Sequence, residues 1–175
     1  MSAPLVLVGP TGAGKTSIGR CLAQRLGRPF VDLDAHIEAG AGRRIADVFA
    51  QDGEAAFRAL EASALREALA TPGIVLATGA GVVLAEHNRT LLRDCARVVH
   101  LHAEPGAQLE RLRDAMDRPL LQGEDRAAML DAMAMQRGPL YAAVADARID
   151  TSGLDVEAVA DAVQRALTLL DAPRE

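Results

Sequence analysis

At 175 residues, half of them hydrophobic and a quarter charged, the chain has the size and balance of one soluble globular domain with a full core. A formal net charge of −5 argues against a general nucleic-acid or anionic-membrane surface, while leaving room for a local basic pocket aimed at phosphate. Three Phe, one Tyr and no Trp leave the core to Ala, Leu and Val.

The first apolar run, residues 4–9, reads as a buried strand and leads into Gly9-Pro10-Thr11-Gly12-Ala13-Gly14-Lys15-Thr16, which opens a helix over 15–26. This is G-x-x-x-x-G-K-[ST] between a strand and a helix, the context in which backbone N–H groups form a nest for phosphate at a helix N-terminus. Lys15 is the only lysine; every other permanently charged cation is an arginine. A compact ammonium fits among β- and γ-phosphate oxygens where a planar guanidinium imposes another geometry. Thr16 offers a hydroxyl to Mg²⁺. The N-K-x-D element that reads guanine is impossible with the single lysine spent, so ATP is the expected triphosphate.

A second strand, 29–34, ends in Asp32-Leu33-Asp34. Strand alternation would put both carboxylates on one face beside the phosphate loop, one for Mg²⁺ through water and one to accept a proton from an acceptor hydroxyl. Residues 34–70 are helical, charged and longer than a crossover needs, with a helix expected over 53–70; Glu54, Arg58 and Glu61 share one of its faces, which alone is ordinary helix pairing. A third strand, 74–78, runs into a second glycine-rich turn, Thr78-Gly79-Ala80-Gly81. It is either a tight strand exit or a source of N–H groups for an anion.

A helix over 86–94, a strand over 97–102, a helix over 105–115, a helix over 126–145, a strand over 147–150 and a helix over 155–170 complete the alternation. The pattern implies an α/β fold, a parallel sheet with helices on both faces. His100 and His102 share a strand face, without the further ligands a metal site requires. Residues 113–126, polar and containing Arg118, Pro119 and Gly123, interrupt two helices in the manner of a lid. Cys21 and Cys95 read as ordinary thiols of a reducing compartment. With neither a signal peptide nor a membrane-length apolar run, a cytoplasmic protein is expected.

The segments GPTGAGKTSIGR, DLDAHIE, IADVFAQDGEAAFRALE, VLATGAGVVL, DRPLLQ and MQRGPLYAAVAD together resemble shikimate kinase, in the nucleoside-monophosphate-kinase-like branch of P-loop proteins, over residues 4–170. The resemblance implies one three-layer α/β/α P-loop domain over 1–175. It has five parallel strands in the order 2-3-1-4-5, a shikimate-binding region at 34–70 and a lid at 113–126. It also implies transfer of the ATP γ-phosphate to the 3-hydroxyl of shikimate, on the route to chorismate and the aromatic amino acids, by a monomer. Carried over, Gly12, Ala13, Gly14, Lys15, Thr16 and Ser17 hold ATP, with Arg111 against adenine and Arg118 reaching the transferring phosphate. Thr16 and, through water, Asp32 hold Mg²⁺. Asp34 is the base; Arg58 and Arg137 grip the shikimate carboxylate with Glu61 in support, Gly79, Ala80 and Gly81 add backbone contacts, and Phe49 and Phe57 wall the ring. The family commonly has three glycines at 79–81, so Ala80 requires a negative φ there. Alternatives are a kinase of another small hydroxy acid, gluconate-like, and a non-catalytic ligand-sensing domain of a transcription regulator. The latter needs a DNA-binding segment, and none is expected ahead of Pro4.

Overall fold

A computed structural model describes residues 2–112 and 125–172. Five strands, β1 (Leu5–Val8), β2 (Phe30–Asp32), β3 (Val75–Ala77), β4 (Arg97–His102) and β5 (Ala147–Asp150), form one all-parallel sheet in the order β2-β3-β1-β4-β5. β1 is central, all four of its residues are buried, and its side chains alternate between two cores. Leu5 and Leu7 pack with Ile18 and Leu22 of α1 (Lys15–Leu26) and Val159 and Val163 of α7 (Val156–Asp171). Val6 and Val8 join the opposite core, with Leu65 of α3 (Ile45–Leu69), Leu92 of α4 (Glu86–Cys95) and Tyr141 of α6 (Arg126–Val144). Two short helices remain, α2 (Leu33–Ala41) and α5 (Pro105–Arg111).

The expected alternation holds across the described residues, and the strand order agrees with the one the resemblance implies. Two differences come from local backbone chemistry. The helix expected from Gly53 begins earlier, at Ile45, and kinks at Gly53, whose φ of 83° and ψ of 174° no helix contains. The second strand stops at Asp32, because the Asp32 side chain turns back to accept from the Ala35 N–H and caps α2. Asp34 therefore lies in the first turn of a helix and not on a strand, so strand alternation is not what places it. The carboxyl ends of β1, β2 and β3 open on one edge of the sheet, and the functional residues gather there.

Candidate active site

The phosphate loop leaves β1 at Gly9 and curls through Gly12 and Gly14, with φ of 80° and 85°. These left-handed positions turn the loop into the N-terminus of α1, whose first turn holds no acidic residue and so leaves its positive dipole end to an anion. Lys15 is 8% exposed, and its ammonium donates to the carbonyls of Gly9 at 2.8 Å and Pro10 at 2.7 Å. It is thereby folded back along the inside of the loop. Ala13 is fully buried and Ser17 is exposed on the first turn of α1. Thr16 Oγ1 donates to Asp32 Oδ2 at 2.5 Å, while the other Asp32 oxygen caps α2. One carboxylate thus joins the start of α1 to the start of α2. The hydroxyl and carboxylate side by side are hard oxygen donors that suit Mg²⁺. Among the described residues no group of three or more His, Cys, Asp or Glu converges on a metal position.

The second half of the site is built around the 79–81 turn, which follows β3. A Cβ on Gly79 would stand 2.8 Å from Asp34 Oδ1 and 3.4 Å from Glu61 Oε1; one on Gly81 would stand 2.5 Å from Arg58 Nη1. Neither glycine has a positive φ, and no described non-glycine residue does, so Ala80 meets the condition set for it. Gly79 and Gly81 are required by the closeness of side chains, and Ala80 is free of that constraint. Arg58 is held by Glu61 at 2.8 Å and Glu54 at 3.3 Å, one turn away on either side along α3, and its guanidinium lies 5.1 Å from the Phe57 ring centroid. Phe57 in turn packs against Phe49, with centroids 4.6 Å apart. Glu61 is 1% exposed. Burial pushes its pKa up, with Asp34 adding to the effect, and Arg58 and Arg137 oppose it. Arg58 ion-pairs with the carboxylate directly, and Arg137 offsets part of the cost of its burial.

Arg137 approaches from α6 and is nearly buried. One turn later on the same helix, Tyr141 donates its hydroxyl to the Ala80 carbonyl at 2.6 Å. Burial raises the Tyr141 pKa to about 12, against the lowering influence of Arg137, so at neutral pH it remains a donor. Sequence reasoning did not single out Tyr141. The available signal was its spacing of four residues from Arg137, which places both on one helix face.

Arg111 donates to Gly12 O at 3.0 Å and to Thr151 Oγ1 at 3.0 Å and O at 2.5 Å, tying the phosphate loop to the end of β5. Arg118 and residues 113–124 of the proposed lid lie outside the described residues. His102 pairs with Glu104 at 2.9 Å, whereas His100 is buried on the same strand.

The structure therefore brings together Lys15, Thr16 and Asp32 at the loop, and Asp34, Arg58, Glu61, Gly79, Ala80 and Gly81 beside it, with Arg137 close enough to bear on the Glu61 carboxyl. The shikimate kinase family model matches residues 11–168. A shikimate kinase of Xanthomonas oryzae pv. oryzae is 49% identical, over 92% of this chain and 90% of its own. The structure of shikimate kinase from Acinetobacter baumannii in complex with shikimate superposes with a TM-score of 0.95 at 36% identity, covering 99% of this chain and 97% of its own. A gluconokinase from Sinorhizobium meliloti, covering 96% of this chain and 93% of its own, reaches a TM-score of 0.62 at 19% identity, a likeness of fold alone.

Proposed function

The chain belongs to the shikimate kinase family, and from that premise we infer that it transfers the γ-phosphoryl group of ATP to the 3-hydroxyl of shikimate, yielding ADP and shikimate 3-phosphate. The observation that carries the acceptor side is that Arg58 and Arg137, far apart in sequence, both bear on one buried glutamate beside the 79–81 turn, Arg58 by a direct ion pair and Arg137 through its charge.

The loop N–H groups of residues 12–17 receive the β- and γ-phosphates, and the Lys15 ammonium exchanges the Gly9 and Pro10 carbonyls for phosphate oxygens. Thr16 and, through water, Asp32 would hold Mg²⁺, which when bound supplies positive charge at the phosphates. Arg58 and Arg137 take the shikimate carboxylate, and the N–H groups of the 79–81 turn support the ring. Phe49 and Phe57 wall it. Glu61 keeps Arg58 aimed. Asp34, beside the turn, accepts the proton of the 3-hydroxyl as its oxygen bonds to the γ-phosphorus and the bond from that phosphorus to the β–γ bridging oxygen breaks. Arg118, from a lid at 113–126, meets the charge on the transferring group, and Arg111 borders the adenine while holding the loop.

We take residues 34–70 as the acceptor-binding region of one kinase domain acting as a cytoplasmic monomer on small molecules, without nucleic acid or membrane. The acidic net charge disfavours nucleic-acid and anionic-membrane surfaces. Among the described residues no helix is long and apolar enough to cross a membrane. An ADP-release assay with shikimate, shikimate methyl ester, gluconate and no acceptor tests the reading. Turnover is expected with shikimate and little with the ester, which keeps every ring hydroxyl and lacks the carboxylate. An ester phosphorylated as well as shikimate would eliminate the arginine clamp.

A further inference from the structure

A cleft of about 60 Å³ lies between the phosphate loop, β4 and α6, with Pro10, Thr11, His100, Arg137 and Tyr141 in its walls. Two of these side chains, each more than nine-tenths buried, bring to it polar atoms with no hydrogen-bond partner among the described residues. They are both ring nitrogens of His100 and Nε of Arg137. Buried polar atoms are nearly always satisfied, by water where protein does not reach them. A water molecule needs roughly 10–15 Å³ of such space, so the cleft has room for one or more.

The chemistry of the two groups is complementary. Arg137 Nε–H can only donate, whereas a neutral imidazole offers one acceptor nitrogen and one donor. His100 is held neutral: burial, then the neighbouring His102, Arg148 and Lys15, bring its pKa down to about 4. A water between them would accept from Nε–H and donate to the ring. We propose that His100 is a positioning residue for Arg137, joined to its Nε–H through water held in this cleft. The proposal rests on Arg137 being a carboxylate ligand of the acceptor. With Nε engaged from behind, the guanidinium, which also has a side-chain hydrogen-bond interaction with Tyr141, turns its terminal nitrogens to that carboxylate. The His100 ring also packs against Tyr141, with centroids 4.9 Å apart, and Tyr141 holds the Ala80 carbonyl. One buried cluster thus aligns both the guanidinium and the turn.

The test combines kinetics with nitrogen NMR. His100→Phe keeps an aromatic ring against Tyr141 and removes both nitrogens. It should raise the shikimate KM about fivefold to tenfold, the worth of one hydrogen bond, and leave kcat and the ATP KM near parental values. His100→Gln, which returns an acceptor, should recover much of the loss. In an Arg137→Ala background His100→Phe should add nothing further. An unchanged shikimate KM in His100→Phe, or full additivity with Arg137→Ala, overturns the proposal. Arg137→Ala with a parental shikimate KM would instead overturn the clamp itself, while an impaired Arg137→Ala beside an unaffected His100→Phe removes only the His100 link. The parent enzyme supplies a reading that needs no variant. One His100 ring nitrogen should carry the shift of a hydrogen-bonded acceptor, and the Arg137 Nε–H should exchange slowly with solvent; two ring nitrogens with unbonded shifts overturn the proposal.

Discussion

Gly81→Ala is the substitution that best separates a site argument from a stability argument. The added Cβ would stand 2.5 Å from Arg58 Nη1, 2.6 Å from Nη2 and 2.8 Å from Cζ. Ordinary contact lies near 3.5 Å, so the guanidinium must retreat by about 1 Å. It is the far end of a flexible side chain, and Gly81 has no left-handed φ to defend, so the backbone need not move. Replacing a glycine in a conformation alanine can adopt also restricts the unfolded chain, a gain of about 0.4–1 kcal/mol. Folding stability should therefore change by less than about 1 kcal/mol, a few degrees of Tm at most. A displacement of ~1 Å in a positioning group can cost on the order of 10²-fold, which we expect in kcat/KM for shikimate, chiefly through KM. The ATP KM should hold. Gly9→Ala is the contrast, since its Cβ would meet the Leu101 carbonyl oxygen at 2.1 Å with φ at 148°, a backbone clash that should unfold the protein. Thermal melts and two-substrate kinetics on both variants decide the matter. A Gly81→Ala enzyme with the parental shikimate KM would refute the placement of Arg58 at the acceptor carboxylate.

Lys15→Arg conserves charge, yet the group sits in a pocket shaped for an ammonium, and turnover should fall by roughly 10²–10³; near-normal steady-state rates would defeat the steric argument. Asp34→Asn should abolish phosphoryl transfer and leave ATP binding by calorimetry close to parental, whereas lost ATP binding with intact shikimate binding would mean that Asp32 and Asp34 have been given each other's roles. Arg58→Ala and Arg137→Ala should each weaken shikimate binding by about 2–5 kcal/mol, with the double variant losing less than the sum, because both serve one carboxylate. The pKa of His100 falls from 6.5 unfolded to about 4 folded, so between those values the unfolded chain binds more protons; its contribution to stability is complete above pH 6.5 and is lost as pH falls toward 4, at most about 3 kcal/mol. Glu61, shifted upward, titrates in the opposite sense, so chemical denaturation of the parent against His100→Phe across pH 4–7 isolates the histidine, and parallel curves would contradict its burial as a neutral ring.

The sheet was legible because buried parallel strands are short apolar runs and little else in the chain looks like them. The phosphate loop was legible because its chemistry is confined to eight consecutive residues. The DLD segment misled because periodicity carries no record of where a strand ends. The decisive event is the Asp32 side chain turning back to cap α2 one residue later. The company kept by Arg137 was hidden for a different reason. Nothing local distinguishes a helix arginine facing solvent from one facing Glu61, and only the family resemblance brought Arg58 and Arg137 to one pocket. Tyr141 went unread, and His100 was weighed only beside His102 as a metal pair, because the surroundings of both are set by what lies across the core, the Ala80 carbonyl for one and a shared cleft for the other.

The solitary lysine, folded against the Gly9 and Pro10 carbonyls, makes the enzyme chemically addressable at its centre. An imidating reagent, selective for amines, meets one side-chain amine in the whole chain, and that amine is held inside the loop on its carbonyls. Apart from the α-amino group, every covalent tag left by such a reagent reports on the phosphate loop, and nucleotide occupancy becomes readable as protection of a single atom. A protease that cuts after lysine likewise finds one bond, inside the first turn of α1, exposed only when the loop and the helix behind it come apart.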